Sequence, residues 1–365
     1  MERAPLGVLL VQLGTPDAPT PRAVRRYLAE FLSDPRVIDL PAPLRWMLLH
    51  GVILRVRPRR SAAAYRSIWL PDGSPLRVHS EAFRAALARE LGGGFAVALG
   101  MRYGAPSIDA ALQALAAAGA TRLLVWPLFP QYADASTGSA LARLFERLGR
   151  FAFSRVRTLG PCYDDPGFVA AFADVARPVL EAFRPEHVLL SYHGLPERQV
   201  RAADPSGRHC LASADCCEDP RAAHGGCYRA QCFATSRALA RALALAPAQH
   251  TTCFQSRLGR TPWIRPYTDE VLPRLRASGV RRVAVVCPAF VADCLETVEE
   301  IGIRAREQWR HLGGADLALV PSLNARPRWV AAAAARLRAA AQSLESDEAA
   351  ARPDARESAR PTPAT

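Results

Sequence analysis

The 365-residue chain contains no lysine; all 47 basic side chains are arginine. Together with 30 prolines and many alanines, this bias points to a GC-rich genome more than to a surface selected for nucleic acid. No run of arginines is long enough to serve as a nucleic-acid arm. The formal net charge of +13 leaves room for a basic face toward an acidic membrane or an anionic substrate. Also missing is an apolar run of the roughly 20 residues that span a bilayer. The stretch from Leu40 to Val56 comes nearest, but Pro41, Pro43, Arg45, His50 and Arg55 interrupt it, so a monotopic helix is the most it offers. Nothing near Met1 resembles a signal peptide, and the apolar run Val8 to Val11 is only strand length. These absences predict a cytoplasmic protein, at most peripheral to the inner face of the membrane. The composition, half hydrophobic and 22% charged, is that of a soluble globular protein.

Along the chain, short continuous apolar runs alternate with segments of helical period. Val8–Val11 precedes Pro21 to Leu32, Phe95–Leu99 precedes Ile108 to Ala118, and Leu123–Val125 stops at Trp126-Pro127. Unbroken apolar strands between helices predict parallel sheets covered on both faces. The second half repeats the plan. Val8 to Pro16 aligns without gaps on Val188 to Pro196, with five of nine positions identical. Gly119 to Phe129 similarly matches Gly279 to Phe290. Two matches in the same order argue for duplication. The expected α/β fold is two similar Rossmann-like lobes facing a common cleft, residues 1–163 and 164–326, with an inserted segment at 202–232. A helix over 327–344 returns to the first lobe. Residues 345–365, without large apolar side chains, are expected to be a disordered tail.

In open α/β sheets, ligands bind beyond the carboxyl ends of the strands. His193 stands at such an end, where the first lobe has Leu13. An imidazole there can accept a proton or ligate a metal, or simply close a turn. Asp293, Glu296 and Glu300 share helical spacing. They read either as an acidic strip that conducts a cation or relays protons, or as a helix start with Asp293 as N-cap and Glu296 three residues on. Pro127 to Ser139 begins aromatic and proline-rich, then turns small and polar. It suits a wall against a flat apolar ligand, or a loop into a helix capped by Ser136 or Thr137.

Five of the nine cysteines fall within 23 residues: Cys210, Cys216, Cys217, Cys227 and Cys232. In a reducing compartment such a group suggests metal before disulfide. Four thiolates suit either a [2Fe–2S] cluster or a structural Zn²⁺, and their spacing is standard for neither.

Taken together, these segments resemble the ferrochelatases. The residues that carry the likeness are Gly14-Thr15-Pro16, Tyr65-Arg66-Ser67-Ile68 leading to Gly73-Ser74-Pro75-Leu76, and Arg102-Tyr103-Gly104. With them stand Pro127 to Tyr132, Ser191-Tyr192-His193-Gly194-Leu195-Pro196 and Asp293-Cys294-Leu295-Glu296-Thr297, over about residues 6 to 335. The resemblance implies the chelatase fold and a lyase that inserts Fe²⁺ into protoporphyrin IX, releasing two protons, at the last step of haem biosynthesis. It implies that His193 accepts the pyrrole protons or meets the arriving iron, that Glu296 faces it across the porphyrin, and that Asp293 and Glu300 form the acidic path behind. Leu13, Tyr65, Arg66, Tyr132 and Ser136 are the porphyrin-binding residues it implies; Leu13 favours protoporphyrin over coproporphyrin. Some members carry a [2Fe–2S] cluster. Since no cysteine follows Cys294, a cluster here falls to the internal group, with Cys210, Cys217, Cys227 and Cys232 as ligands and Cys216 as the alternative to Cys217. The partners implied are a porphyrin and ferrous iron for a monomer or homodimer, with a possible peripheral membrane contact and no nucleic acid.

Overall fold

The computed structural model describes residues 4–218, 226–259 and 261–350, with the side chains of 347–350 left aside. Its first half holds a four-stranded parallel sheet of β1 (Leu6–Gly14), β2 (Phe95–Tyr103), β3 (Arg122–Pro127) and β4 (Arg155–Thr158), in the order β2-β1-β3-β4. Its second half holds β5 (His187–His193), β6 (His250–Gln255), β7 (Arg282–Val286) and β8 (Asp316–Leu319), in the order β6-β5-β7-β8. The two orders are the same, as duplication requires. Val8, Leu9, Leu10 and Val11 are fully buried, as are Leu189 and Leu190, because helices cover both faces of each sheet.

In each sheet the first strand lies between the second and third, so the direction of winding reverses beside it. That reversal opens a crevice at the carboxyl ends, between β1 and β3 and again between β5 and β7. Gly14 ends β1 with φ +121°, and a Cβ there would stand 1.8 Å from the Tyr103 carbonyl oxygen. Only glycine lets β1 and β2 stay paired to their ends.

The lobes share one core. β1 side chains Val8 and Leu10 and β5 side chains Val188 and Leu190 belong to the same apolar cluster. The cluster also takes in Phe83, Trp126, Phe168 and Trp329. The last helix, α12 (Pro327–Ala350), supplies Trp329, whose ring meets Phe83, Trp126 and Phe168 at 5.7–5.9 Å. It packs on α4 (Pro75–Leu91) of the first half and on α7 (Pro166–Phe183). The helix runs six residues past the expected end at 344, because Glu345, Glu348 and the alanines after it are good helix formers. Residues 351–365 of the expected tail lie outside the described residues.

Three further differences follow from backbone detail. The helix α9 (Tyr228–Ala242) starts inside the segment expected as an insertion over 202–232, so Cys227 is its N-cap and Cys232 lies on it. Neither Ser136 nor Thr137 caps a helix: Asp134–Gly138 forms one π-helical turn ahead of α6 (Ser139–Leu148). Asp293 is not the N-cap of the segment after it. Leu295–Ala305 is a π-helix capped by Cys294, whose N–H donates to the Thr297 hydroxyl at 3.0 Å. The i→i+5 ladder widens each turn, so the acidic side chains are not stacked as an α-helix would stack them.

Candidate active site

His193 ends β5 beside the crevice of the second lobe. Its imidazole Nδ1 lies 2.6 Å from the Gly194 carbonyl oxygen. A carbonyl can only accept, so the proton of the neutral ring sits on Nδ1 and the Nε2 lone pair is left for another proton or a metal. The ring stands between Trp263 and Phe290, with centroids at 6.3 and 6.5 Å. The following peptide is held at both ends: the Gly194 N–H donates to Gln255 O at 2.8 Å, and the Tyr228 hydroxyl donates to His193 O at 2.8 Å. A Cβ on Gly194 would lie 2.9 Å from Gln255 O and 3.2 Å from the Trp263 ring, so the closeness of these strand ends requires glycine.

Glu296 is the second residue of the π-helix. Gln255 ties it to the histidine. The Gln255 side-chain amide donates to Glu296 O at 2.7 Å, its Oε1 accepts from Ser191 at 2.8 Å, and its backbone carbonyl holds Gly194. Buried Gln255 is therefore the joint between the two expected reactive residues, although it is not among those expected from the sequence. It is the last residue of β6, and the strand-end argument applied to Thr252-Cys253-Phe254-Gln255 reaches it.

The Glu296 charge is felt by buried groups of α1 (Pro21–Ser33), α3 (Leu54–Ile68) and its own segment. Burial pushes the Tyr27 and Tyr65 phenols and the Cys294 thiol up, and the Glu296 charge adds to the rise in all three. These groups stay neutral beside the carboxylate. Tyr27, Tyr65 and Tyr103 form one cluster with Leu28 and Leu54, and Leu13 and Leu295 pack against it. This apolar wall comes from α1, α3 and the end of β2. It brings Leu13 and Tyr65 together. Arg66 is turned away to the outer side, where it is exposed and donates to Pro19 O at 3.3 Å. Tyr132 stands on the loop after β3 and Ser136 in the π-helical turn that follows it; the Tyr132 N–H donates to Gln231 Oε1 at 2.6 Å, and the Ser136 hydroxyl to Ala133 O at 3.3 Å.

The three acidic residues have different surroundings. Asp293 is buried and occupied: it accepts from the Thr297 hydroxyl at 3.1 Å, the Ser322 N–H at 3.1 Å and the Asn324 amide at 2.7 Å. Glu300 accepts from the N–H and hydroxyl of Ser256 at 2.8 and 2.6 Å, with an Arg304 guanidinium nitrogen 3.9 Å away. It borders a surface cavity of about 230 Å³ also lined by Ser256, Arg257, Asp269 and Arg304.

With a strand-end imidazole, a nearby carboxylate and an aromatic wall in place, comparison with known proteins decides the family. The ferrochelatase family model matches residues 5–341. The chain belongs to the ferrochelatase family. Its activity is insertion of Fe²⁺ into protoporphyrin in haem synthesis, a lyase reaction. It is 48% identical to a ferrochelatase of Coxiella burnetii, over 90% of this chain and 92% of that protein. It is 49% identical to one of Azotobacter vinelandii, over 90% and 96% of the two chains. The likeness to one of Legionella pneumophila is 46%, over 89% and 96%. Among solved structures, the sirohydrochlorin chelatase SirB of Bacillus subtilis subspecies spizizenii in complex with cobalt aligns at TM-score 0.52 and 14% identity, covering 94% of this chain and 97% of that one. SirB from Bacillus subtilis with Fe³⁺ aligns at 0.50 and 15%, over 94% and 98%. These likenesses show the chelatase fold.

The cysteine-rich segment lies against the same strand end. All five of its cysteines are unpaired and buried, and they belong to the shared core. The Cys216 and Cys217 sulfurs are 3.8 Å apart, and the Cys227 thiol lies near those of Cys210 and Cys217. Cys217 also accepts from Arg229 at 3.0 Å, and Cys216 from the Leu211 N–H at 3.3 Å. Converging buried thiols that already accept N–H donors fit in kind a thiolate-bound cluster. Among the described residues, no group of three or more His, Cys, Asp or Glu is arranged around a single metal ion. Asp204 organises the entry to the segment: it accepts from the backbone N–H of Cys210 and His209 and from Ser206, which together hold its carboxyl well below the usual range.

One apolar surface is left open. The helix α2 (Ala42–Leu48) buries none of its residues, and Trp46 and Val56 are 62% and 69% exposed. With Leu44, Met47 and Val52 they form a patch beside exposed Arg55, Arg59 and Arg60. No helix among the described residues is long and apolar enough to cross a membrane.

Proposed function

We propose that His193 accepts the pyrrole protons while Glu296 meets the ferrous ion on the other side of the macrocycle. The observation that carries this reading is the Nδ1–Gly194 hydrogen bond, which leaves Nε2 as a base at the carboxyl end of β5. A porphyrin carries two N–H protons and offers a dication no good approach within its own plane. A cleft that bends it exposes the pyrrole nitrogens on one face, using binding energy from the apolar rim of the substrate. The Leu13–Tyr65 wall, Tyr132 and Ser136 supply that rim in this reading. Neutral tyrosines around Glu296 keep its charge for the arriving iron. Imidazole and carboxylate hold Fe²⁺ without the tight grip of thiolates, so the metal can be passed on. Glu300 forms the outer end of the acidic path; Asp293, with its oxygens taken by neutral donors, anchors the path rather than carrying the ion.

The two lobes of this reading are residues 1–163 and 164–326. A [2Fe–2S] cluster is assigned to Cys210, Cys217, Cys227 and Cys232, with Cys216 as alternative to Cys217; it would staple the inserted segment and supply a one-electron centre. The patch on α2 suits a peripheral contact with the inner membrane face, for a cytoplasmic protein that is a monomer or homodimer. The deciding experiment is His193→Ala assayed with Fe²⁺ and protoporphyrin. Porphyrin binding, read by fluorescence, is expected to persist while turnover falls roughly 10²-fold or more. Unchanged haem formation would exclude His193 from the role.

A further inference from the structure

The loop that carries Tyr132 is held from both halves of the molecule. Its first part is tied to the sheet it leaves: the Leu128 N–H donates to Val11 O at 2.8 Å, and Pro130 O accepts from the Cys162 N–H at 3.0 Å. The next two residues are held by α9 of the second half. The Gln131 side-chain amide donates to the Thr235 hydroxyl at 3.0 Å, and the Tyr132 N–H donates to Gln231 Oε1 at 2.6 Å. Gln231 and Thr235 are four residues apart, so they share one face of α9. Gln131, Gln231 and Thr235 are buried, whereas Tyr132 is half-buried. The Thr235 hydroxyl has one proton. Tyr163 O at 2.6 Å takes it ahead of Gln231 O at 3.0 Å, and the hydroxyl oxygen accepts from Gln131. Thr235 therefore grips both the loop and the segment that joins the two halves. Beyond Tyr132 the chain enters the π-helical turn Asp134–Gly138. A Cβ on Gly138 would stand 3.4 Å from the Tyr132 hydroxyl, which puts the phenol end against that turn.

We propose that Gln231 and Thr235 are positioning residues: from α9 they fix where the Tyr132 ring stands, and so set how tightly the porphyrin is held. The proposal rests on the reading of Tyr132 as part of the porphyrin wall. Gln231 supplies the acceptor for the Tyr132 N–H, the backbone group next to the ring. Without that acceptor the N–H must find another partner, and the end of the loop moves to reach it. A wall residue touches the macrocycle before and during metal insertion alike. Its displacement weakens the binding of substrate and transition state together, so KM rises while kcat stays.

The test uses the full chain, assayed with Fe²⁺ and protoporphyrin, and the same chain labelled with ¹⁵N at tyrosine. The Tyr132 amide signal is assigned by its loss in Tyr132→Phe. Gln231→Met keeps the length of the side chain and removes the acceptor; Gln231→Glu keeps an acceptor oxygen. Gln231→Met is expected to move the Tyr132 amide proton upfield. It should also raise porphyrin KM about 3- to 10-fold, the worth of one aromatic contact, with kcat and iron KM changed by less than about twofold. Gln231→Glu should bring both readouts back toward the natural values. Thr235→Val, which releases Gln131 without changing side-chain volume, should raise porphyrin KM in the same way and serves if Gln231→Met folds poorly. In Tyr132→Ala, which itself raises porphyrin KM, Gln231→Met should add nothing. An unmoved Tyr132 amide in Gln231→Met, a loss confined to kcat, an equal rise in KM in Gln231→Glu, or a full effect of Gln231→Met in Tyr132→Ala would overturn the proposal. If Tyr132→Ala leaves porphyrin KM unchanged, the wall reading fails instead, and the amide shift still decides whether Gln231 holds the loop.

Discussion

Replacing Asp34 should loosen the wall of the cleft by a measurable amount. Its side chain is 3% exposed, and its Oδ2 accepts from Arg102 Nη2 at 2.7 Å, Tyr103 OH at 3.0 Å and Ser139 Oγ at 2.6 Å. Oδ1 takes the Arg36 N–H at 2.8 Å. One carboxylate therefore joins the end of α1, the end of β2 and the start of α6. Burial alone would raise its pKa, but the Ser139 hydroxyl, the Arg36 amide, the Tyr103 phenol and the Arg102 charge outweigh that and leave it below the usual range. Asp34→Ala strands a guanidinium that is only 16% exposed. Breaking such a buried pair costs about 3–5 kcal/mol. Arg102 keeps Ser139 Oγ at 2.7 Å and the Tyr103 ring at 4.3 Å, so the lower end, about 3 kcal/mol, is expected. At about 2 °C per kcal/mol for a chain of this length, the thermal midpoint should fall by about 6 °C. Removing both charges, Asp34→Ala with Arg102→Met, should cost less than the sum of the single changes by about 1 kcal/mol or more. Because the folded pKa is depressed, the contribution is fully present above the unfolded value near 4 and is lost as pH falls through the folded value. The difference between the natural chain and Asp34→Ala should be flat from pH 7 to 5 and shrink below pH 4. A cost under about 1 kcal/mol, or strict additivity of the pair, would refute the network.

Three further expectations concern other parts of the molecule. Anaerobically purified protein should show visible charge-transfer bands with two irons per chain, lost in Cys227→Ser and Cys232→Ser but kept in Cys216→Ser; one colourless zinc per chain would overturn the cluster. Burial, the largest cause in each case, lowers the pKa of His79, His187 and His250, with His250 adding to the effect at His187. They fold as neutral rings, so stability is full above the unfolded value near 6.5 and declines as pH drops toward their folded values; a thermal midpoint that does not fall between pH 7 and 5.5 would contradict this. Trp46→Ser with Val52→Ser removes two exposed apolar side chains of the α2 patch. At about 1 kcal/mol for each partly inserted side chain, binding to vesicles of mixed zwitterionic and anionic lipid should weaken by about tenfold or more; equal binding would remove the patch from the membrane contact.

Much of the architecture is legible in local sequence. Unbroken runs such as Val8–Val11 and Val188–Leu190 report strands covered on both faces, and the repeated nine-residue segment reports two sheets of one topology. His193 stands out because it differs from Leu13 at the same point of that repeat. The π-helix was not legible, since Leu295–Ala305 has the apolar spacing of an α-helix and the wider ladder answers to packing on α3 and β8. Nor was the role of Asp293, whose partners Ser322 and Asn324 lie 29 and 31 residues away.

The sequence by itself determined the strands, the doubling of the lobe and the family motifs, because each is written in short runs of neighbouring residues. Only the tertiary structure decided which polar groups are already occupied. Gln255 joining the end of β5 to Glu296, Asp34 closing on Arg102, and Tyr228 reaching from the cysteine-rich segment to the His193 backbone carbonyl are contacts across tens of residues. Their physical origin is the need of every buried donor and acceptor for a partner, and which partner is within reach is set by how the two sheets and the helices between them pack.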